Sequence, residues 1–302
     1  MRRGRVVTTV GAAADTVRTW GEMVKFSHSA FALPFALFAA FLAGWPELRA
    51  GQVGLVLLCM VAARSAAMTF NRIVDAPFDA RNPRTAGRAL PRGLISARAA
   101  WAFFAASAAA FLAGCAGFWV YFGNAWPLRL GATVLAFLCY YSYTKRFTRW
   151  SHFVLGAGIA FAPVAAWIAI NPATLGPAAW LLMAAVTCWI AGFDLIYACQ
   201  DAAFDRSAGL HSVPARMGLA AALGLARGLH ALTVAALVGV GVVSGAGALY
   251  YAGVVAVAAL LAVENAIVSP RDLSRVNLAF FTINGVVGLA FGGLGILDVV
   301  LS

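Results

Sequence analysis

The chain has 302 residues, 63% of them hydrophobic and 11% charged, with a mean hydropathy of +0.86 and a formal net charge of +11. A soluble domain is nearer half apolar with about a quarter of its residues charged, so this composition excludes one and points to an integral membrane protein. The basic residues fall in short segments between apolar runs and form no continuous stripe, which excludes a nucleic-acid surface.

Apolar runs of about 17–25 residues can cross a bilayer as helices. They lack the period-two alternation of a membrane barrel. Nine such runs are predicted, at 27–46, 53–74, 98–121, 127–144, 152–170, 175–199, 219–241, 246–266 and 277–299. The expected fold is a single all-α membrane domain over 1–302, with about nine transmembrane helices around a central cavity. Ahead of the first run, Arg2, Arg3 and Arg5 precede neither an apolar core nor a small-residue cleavage site, so no cleaved signal peptide is expected.

The second run ends in "TFNRIVDAPFDARNPRTAGRALPRG", where Asn71, Asp75 and Asp79 stand four residues apart. On a helix these share a face, with Cβ atoms roughly 5–6 Å apart, and like charges so placed repel by about 0.2–0.5 kcal/mol. An acid at membrane depth costs more, about 2.5–3.5 kcal/mol on insertion scales. The fourth run ends in "YSYTKRFTR", which brings Lys145, Arg146 and Arg149. The sixth runs into "YACQDAAFDRSAGLHSVPARMG", where Tyr197, Asp201 and Asp205 repeat the first spacing at an offset of 126 residues. The windows 71–93 and 197–218 each continue into basic residues, then Pro and Gly. Two related halves with cytoplasmic Asp-rich loops facing one site are the natural reading.

Charge placement sets the expected topology. Of the 22 lysines and arginines, 18 fall in the N-terminal segment (Arg18 and Lys25 among them) or the loops after even-numbered spans; Arg49 and Arg129 lie opposite. That bias places the N-terminus and the Asp-rich loops in the cytoplasm of an inner-membrane protein, with the C-terminus outside. The five cysteines sit in apolar runs without a CxxC pair and are read as packing residues. His28, His152 and His230 are read as interfacial or packing groups, and His211 as a candidate substrate contact.

Five of the eleven carboxylates lie in or beside the two windows, so positive charge is needed between them. Salt bridges to Arg72, Arg81, Arg84 and Arg206 are one solution. Magnesium is the other: it takes oxygen ligands and bridges carboxylates to substrate phosphates. Asn71, Asp75, Asp79, Asp201 and Asp205 suit that use, and no His/Cys set has zinc or iron spacing. Arg84, Arg88 and Lys145 would hold the remaining oxygens of a diphosphate. Arg64 and Asp194 lie seven residues before Asn71 and Asp201, about 10 Å deeper along their helices. Either they pair with each other, or Arg64 holds an acceptor carboxylate while Asp194 takes or orients an acceptor proton.

The two Asp-rich motifs in this order, the "RTAGRALPRG" tail, the Tyr141–Lys145 element of "YSYTKR" and the nine spans resemble the UbiA superfamily of intramembrane aromatic prenyltransferases. The resemblance implies a horseshoe-like bundle, a lipid-open cavity with a cytoplasmic cap, Mg2+ as cofactor, and a polyprenyl diphosphate and an aromatic acid as substrates. It also implies catalytic roles for Asp194, Arg64 and Lys145, and substrate contacts from Asn71, Arg84, Arg88, Tyr141 and Tyr197. Arg64 and Asp194 sit where the 4-hydroxybenzoate branch has an Arg and an Asp. The first motif here begins Asn71-Arg72 in place of the common Asn-Asp, a variant similar to a branch whose members are thought to act on 1,4-dihydroxy-6-naphthoate in the futalosine route to menaquinone. Two other classes compete on composition: a transporter with acidic sites, and a CDP-alcohol enzyme, whose DGxxAR signature is absent.

Overall fold

The computed structural model describes residues 18–24 and 29–302. The basic cluster Arg2, Arg3, Arg5 and Lys25, and His28, lie outside the described residues. Helices make up the fold: α1 (18–24), α2 (Ser29–Gly44), α3 (Ala50–Asp79), α4 (Ala97–Phe122), α5 (Trp126–Thr144), α6 (Ser151–Ile170), α7 (Pro177–Ala198), α8 (Ala202–Ser207), α9 (Val213–Met217), α10 (Leu219–Ser244), α11 (Ala248–Ala266) and α12 (Asn284–Leu301). Each of the nine predicted spans is occupied by a helix. Among the described residues, seven are long and apolar enough to cross a membrane. Helix α2 counts 16 described residues, and α5 carries Arg129 near its start and a tyrosine-rich end; neither is among the seven.

The helix ends position the site. At 1.5 Å per residue the 30-residue α3 is about 45 Å long, well beyond the roughly 30 Å hydrocarbon core, so one end must project past it. Asn71, Asp75 and Asp79 occupy that C-terminal overhang. The matching stretch after α7 does not continue straight: Cys199–Asp201 tighten into a 3₁₀ turn before α8 resumes. Each Asp-rich loop then closes on a glycine in the left-handed region, Gly93 (φ 68°) and Gly218 (φ 89°), which a Cβ would strain. The final span opens with a π-helical turn, Leu278–Ile283, ahead of α12.

Helix α7 is the most enclosed of the spans and packs between α6 and α10; α2 lies against α6 and α12, and α3 pairs with α4. Water gives no drive for helices to associate within a bilayer, so close approach through small residues matters. Gly156 of α6 is such a contact: a Cβ there would stand 2.5 Å from the Thr187 carbonyl oxygen of α7. Aromatic packing fills the core beside it. The Phe35 ring lies 5.0 Å from those of Trp189 and Phe291, which joins α2, α7 and α12. A buried polar chain crosses the same core: Trp189 Nε1 donates to Asn284 Oδ1 (2.6 Å), and Asn284 Nδ2 donates to Glu264 Oε1 (2.9 Å). The five cysteines are free thiols, buried or half-buried among the helices. Exposed aromatics gather at both ends of the bundle, with Trp45, Trp119, Trp126 and Trp180 at one and Trp101, Phe147 and Trp150 at the other. This is the pattern of two interfacial belts.

Candidate active site

A cavity of about 260 Å³ opens where the C-terminal ends of α3, α5 and α7 meet the loops after α3 and α8. Every residue given a metal, substrate or catalytic role on the family resemblance or the aspartate motifs lines it: Arg64, Asn71, Asp75, Asp79, Arg84, Arg88, Tyr141, Lys145, Asp194, Tyr197, Asp201 and Asp205. The two Asp-rich windows therefore face each other, as their spacing predicts. His211 is not part of that lining; it contacts Arg216 at 3.2 Å.

The first loop reaches across to the second motif. Arg84 forks onto Asp201, with Nε to Oδ1 at 2.8 Å and Nη2 to Oδ2 at 2.5 Å, while Asn82 Nδ2 donates to the same Oδ1 at 3.1 Å. Arg84 Nη1 also donates to the Tyr197 hydroxyl at 2.8 Å. Such bidentate, charge-assisted pairs are the strong ones. Burial acts to lower the Arg84 guanidinium, but its hydrogen bonds to Asp201 and that carboxylate's charge outweigh burial and raise it, so the cation is secure. Asp79 accepts from Arg88 Nη1 at 2.6 and 2.7 Å. Asp205 is almost fully buried and holds Lys145 Nζ at 2.8 Å, with Ser212 Oγ donating at 2.8 Å. Asp75 differs: its nearest cation, Arg146, stands 3.9 Å away, and Asn71 Nδ2 donates to it at 2.8 Å.

Two expectations change on this geometry. Of the four cations weighed as salt-bridge partners for the acids, Arg84 alone makes such a bridge among the described residues. Arg81 and Arg206 donate to the backbone carbonyls of Pro77 and Ala215, and Arg72 to those of Met23 and the Asn71 side chain. The cations assigned to a diphosphate, Arg84, Arg88 and Lys145, are the ones that hold the aspartates. Second, Asp194 does not pair with Arg64. Its Oδ2 lies 2.7 Å from His152 Nδ1, so His152 is a site residue and not a packing group. Asn82, Ser212 and His152 were missed. "NPRT" hinted at an Asx turn, seen as the Arg84 N–H donating to Asn82 Oδ1 at 3.0 Å; nothing local marked His152.

The fit to magnesium can be judged from the donors. They are oxygens, the kind Mg2+ prefers, but among the described residues no three carboxylates, histidines or cysteines converge as a ready cage. Magnesium seldom uses such cages; it binds through one or two carboxylates together with substrate phosphates. Five carboxylates and six basic side chains line the cavity, so its charges nearly cancel as it stands. A diphosphate trianion alone or a divalent ion alone would unbalance it; bound together they would be balanced, the cations being free to turn to phosphate oxygens and the aspartates to the metal.

The UbiA prenyltransferase family model matches residues 32–286. The chain is 33% identical over 208 residues to a 4-hydroxybenzoate octaprenyltransferase of Alcanivorax borkumensis, covering 67% of each chain. A polyprenyl transferase of Arthrobotrys oligospora is 31% identical over 201 residues, but the match spans about half of that relative, 49% of its length. Among solved structures, the apo form of a UbiA homolog from Aeropyrum pernix K1 superposes with a TM-score of 0.81 at 34% identity, covering 90% of this chain and 98% of that one. A UbiA homolog from Archaeoglobus fulgidus bound to DMAPP and Mg2+, at 21% identity and a TM-score of 0.72, shares the fold over 94% of this chain and 100% of its own. By family match, fold and the pairing of its two Asp-rich motifs across one cavity, the chain belongs to the UbiA prenyltransferase family.

Proposed function

We propose that the protein transfers a polyprenyl group from its diphosphate to an aromatic acid carrying a phenolic hydroxyl, with 4-hydroxybenzoate as the first candidate acceptor. The observation that carries this reading is the convergence of both aspartate motifs and six cations on one cavity whose inner wall is apolar. The names of the relatives and the ligands of the A. fulgidus homolog support it.

Arg84, Arg88 and Lys145 grip the diphosphate, and the isoprenoid tail lies along Phe31, Leu155, Ile159, Phe193 and Phe280. Asn71, Asp75, Asp79, Asp201 and Asp205 would hold Mg2+, which supplies charge neutralisation for the departing diphosphate. Arg64 orients the acceptor carboxylate. The C1–O bond of the donor breaks with its electron pair leaving on diphosphate, and the ring carbon ortho to the hydroxyl bonds to C1. The displaced ring proton goes to Asp194. Tyr141 and Tyr197 shield the allylic cation with their π-faces, and the apolar inner wall keeps water from it. The basic bias supports a cytoplasmic face for this chemistry.

One observation favours a second acceptor. Arg72, in place of the common acid of the first motif, lies on the cavity wall and adds a cation beside Asn71. A larger acid such as 1,4-dihydroxy-6-naphthoate is the natural comparison. Purified protein with Mg2+, geranyl diphosphate and each acid offered separately, with products read by mass spectrometry, tests both. Near-wild-type transfer by Asp75→Ala or Asp201→Ala would overturn the metal assignment.

A further inference from the structure

We infer that His152 is a positioning residue that fixes the proton-accepting carboxylate of Asp194 and ties it to the second Asp-rich loop. The inference rests on the prenyltransferase reading above. His152 is 2% exposed and stands in the first turn of α6. Its two ring nitrogens have different partners. Nε2 accepts the backbone N–H of Val213 at 3.4 Å, so Nε2 carries no hydrogen. The proton is therefore on Nδ1, which donates to Asp194 Oδ2 at 2.7 Å. The backbone thus sets the tautomer, and the tautomer sets the carboxylate.

Both side chains border the cavity, and Asp194 keeps 21% of its side chain exposed. Among the described residues no hydrogen bond engages Asp194 Oδ1, which leaves that oxygen for a ligand. When the ring carbon bonds to C1 of the donor and the electron pair of the broken C–O bond leaves with diphosphate, the ring must shed one proton to become aromatic again. Asp194 Oδ1 receives it, and water takes it as products leave. His152 touches neither substrate; it keeps the carboxylate at a fixed rotamer against α6.

The same contact reaches the diphosphate end of the site. Ser212, next to Val213, donates to Asp205, and its Oγ also accepts the Ala215 N–H as the cap of α9. The loop that fixes Asp205 therefore also fixes His152.

The test is steady-state kinetics in detergent with geranyl diphosphate, Mg2+ and 4-hydroxybenzoate or 1,4-dihydroxy-6-naphthoate, each substrate varied in turn. His152→Ala should lower kcat/KM for the acceptor by about 10–100-fold, the cost of a misplaced catalytic group. The KM for geranyl diphosphate should stay within about two-fold of wild type, since the diphosphate grips are untouched. His152→Asn, whose amide N–H can reach the position of Nδ1–H, should restore most of the loss. Val213→Pro deletes the N–H that sets the tautomer at a helix N1 position where proline is tolerated, and should lower acceptor kcat/KM several-fold with His152 intact. Unchanged acceptor kinetics in His152→Ala, a KM for geranyl diphosphate raised about tenfold or more, or an asparagine variant no better than alanine would overturn the inference alone. A wild-type protein that prenylates no phenolic acid would overturn the prenyltransferase reading and this one with it.

Discussion

The Arg84–Asp201 pair separates a structural strut from a working site. Its two hydrogen bonds run at 2.8 and 2.5 Å, and the side chains are 31% and 10% exposed. Removing one partner of a fully buried pair costs about 3–5 kcal/mol, because a charge is stranded. An exposed pair is worth at most about 1 kcal/mol. With Arg84 nearly a third exposed, about 2 kcal/mol is expected for either Arg84→Gln or Asp201→Asn. The double variant strands neither charge, so the cycle should show a coupling of about 1–2 kcal/mol. Unfolding measurements in detergent should therefore place the double variant about 2–3 kcal/mol below wild type, short of the roughly 4 kcal/mol that independent losses would give. Prenyl transfer should behave otherwise: each single variant should lose at least about 100-fold, and the double variant should recover none of it. Recovery of activity in step with stability would refute the reasoning and leave the pair as a strut.

Magnesium and prenyl diphosphate should bind cooperatively, because each supplies the charge the other displaces. Calorimetric titration of Mg2+ should show affinity rising at least about tenfold with geranyl diphosphate present; equal affinity without it would count against partner exchange, and chelation by EDTA should abolish transfer. Lys145→Ala should raise the KM for diphosphate more than it lowers kcat, and it strands Asp205; kinetics with the donor varied would show a pure kcat effect if the lysine acts elsewhere. Asn284→Ala leaves the buried Glu264 and the Trp189 N–H without their bonds and should destabilise the bundle by about 2–4 kcal/mol; an unchanged melting temperature would mean the polar chain is dispensable. Gly156→Leu should force α6 from α7 and lower the melting temperature, since even a Cβ would meet the Thr187 carbonyl; an unaltered melt would show that the helices part easily.

The membrane class, the helix positions and the facing of the two aspartate windows were legible in the sequence, because hydropathy and helical spacing are local signals. The partners of the aspartates were not. Arg84 could be seen as a cation near acids, but its choice of Asp201 over the nearer Asp79 depends on how the first loop folds over α7. His152 was read as packing because a lone histidine in an apolar run carries no mark of the carboxylate 42 residues away. Hydropathy also located α2 and α5, and both runs are helical.

Arg84 has a consequence for biogenesis. Its carboxylate partner lies 117 residues later in the chain. At roughly 5–20 residues per second, that partner leaves the ribosome about 6–23 s after Arg84 does. During that interval the guanidinium lacks this partner, so under the topology that the basic bias predicts it would act at full strength in retaining its loop on the side of synthesis. Once the later half is inserted, the same charge is taken up by Asp201 at the cavity, and on the proposed function one residue would serve first in topology and then in chemistry.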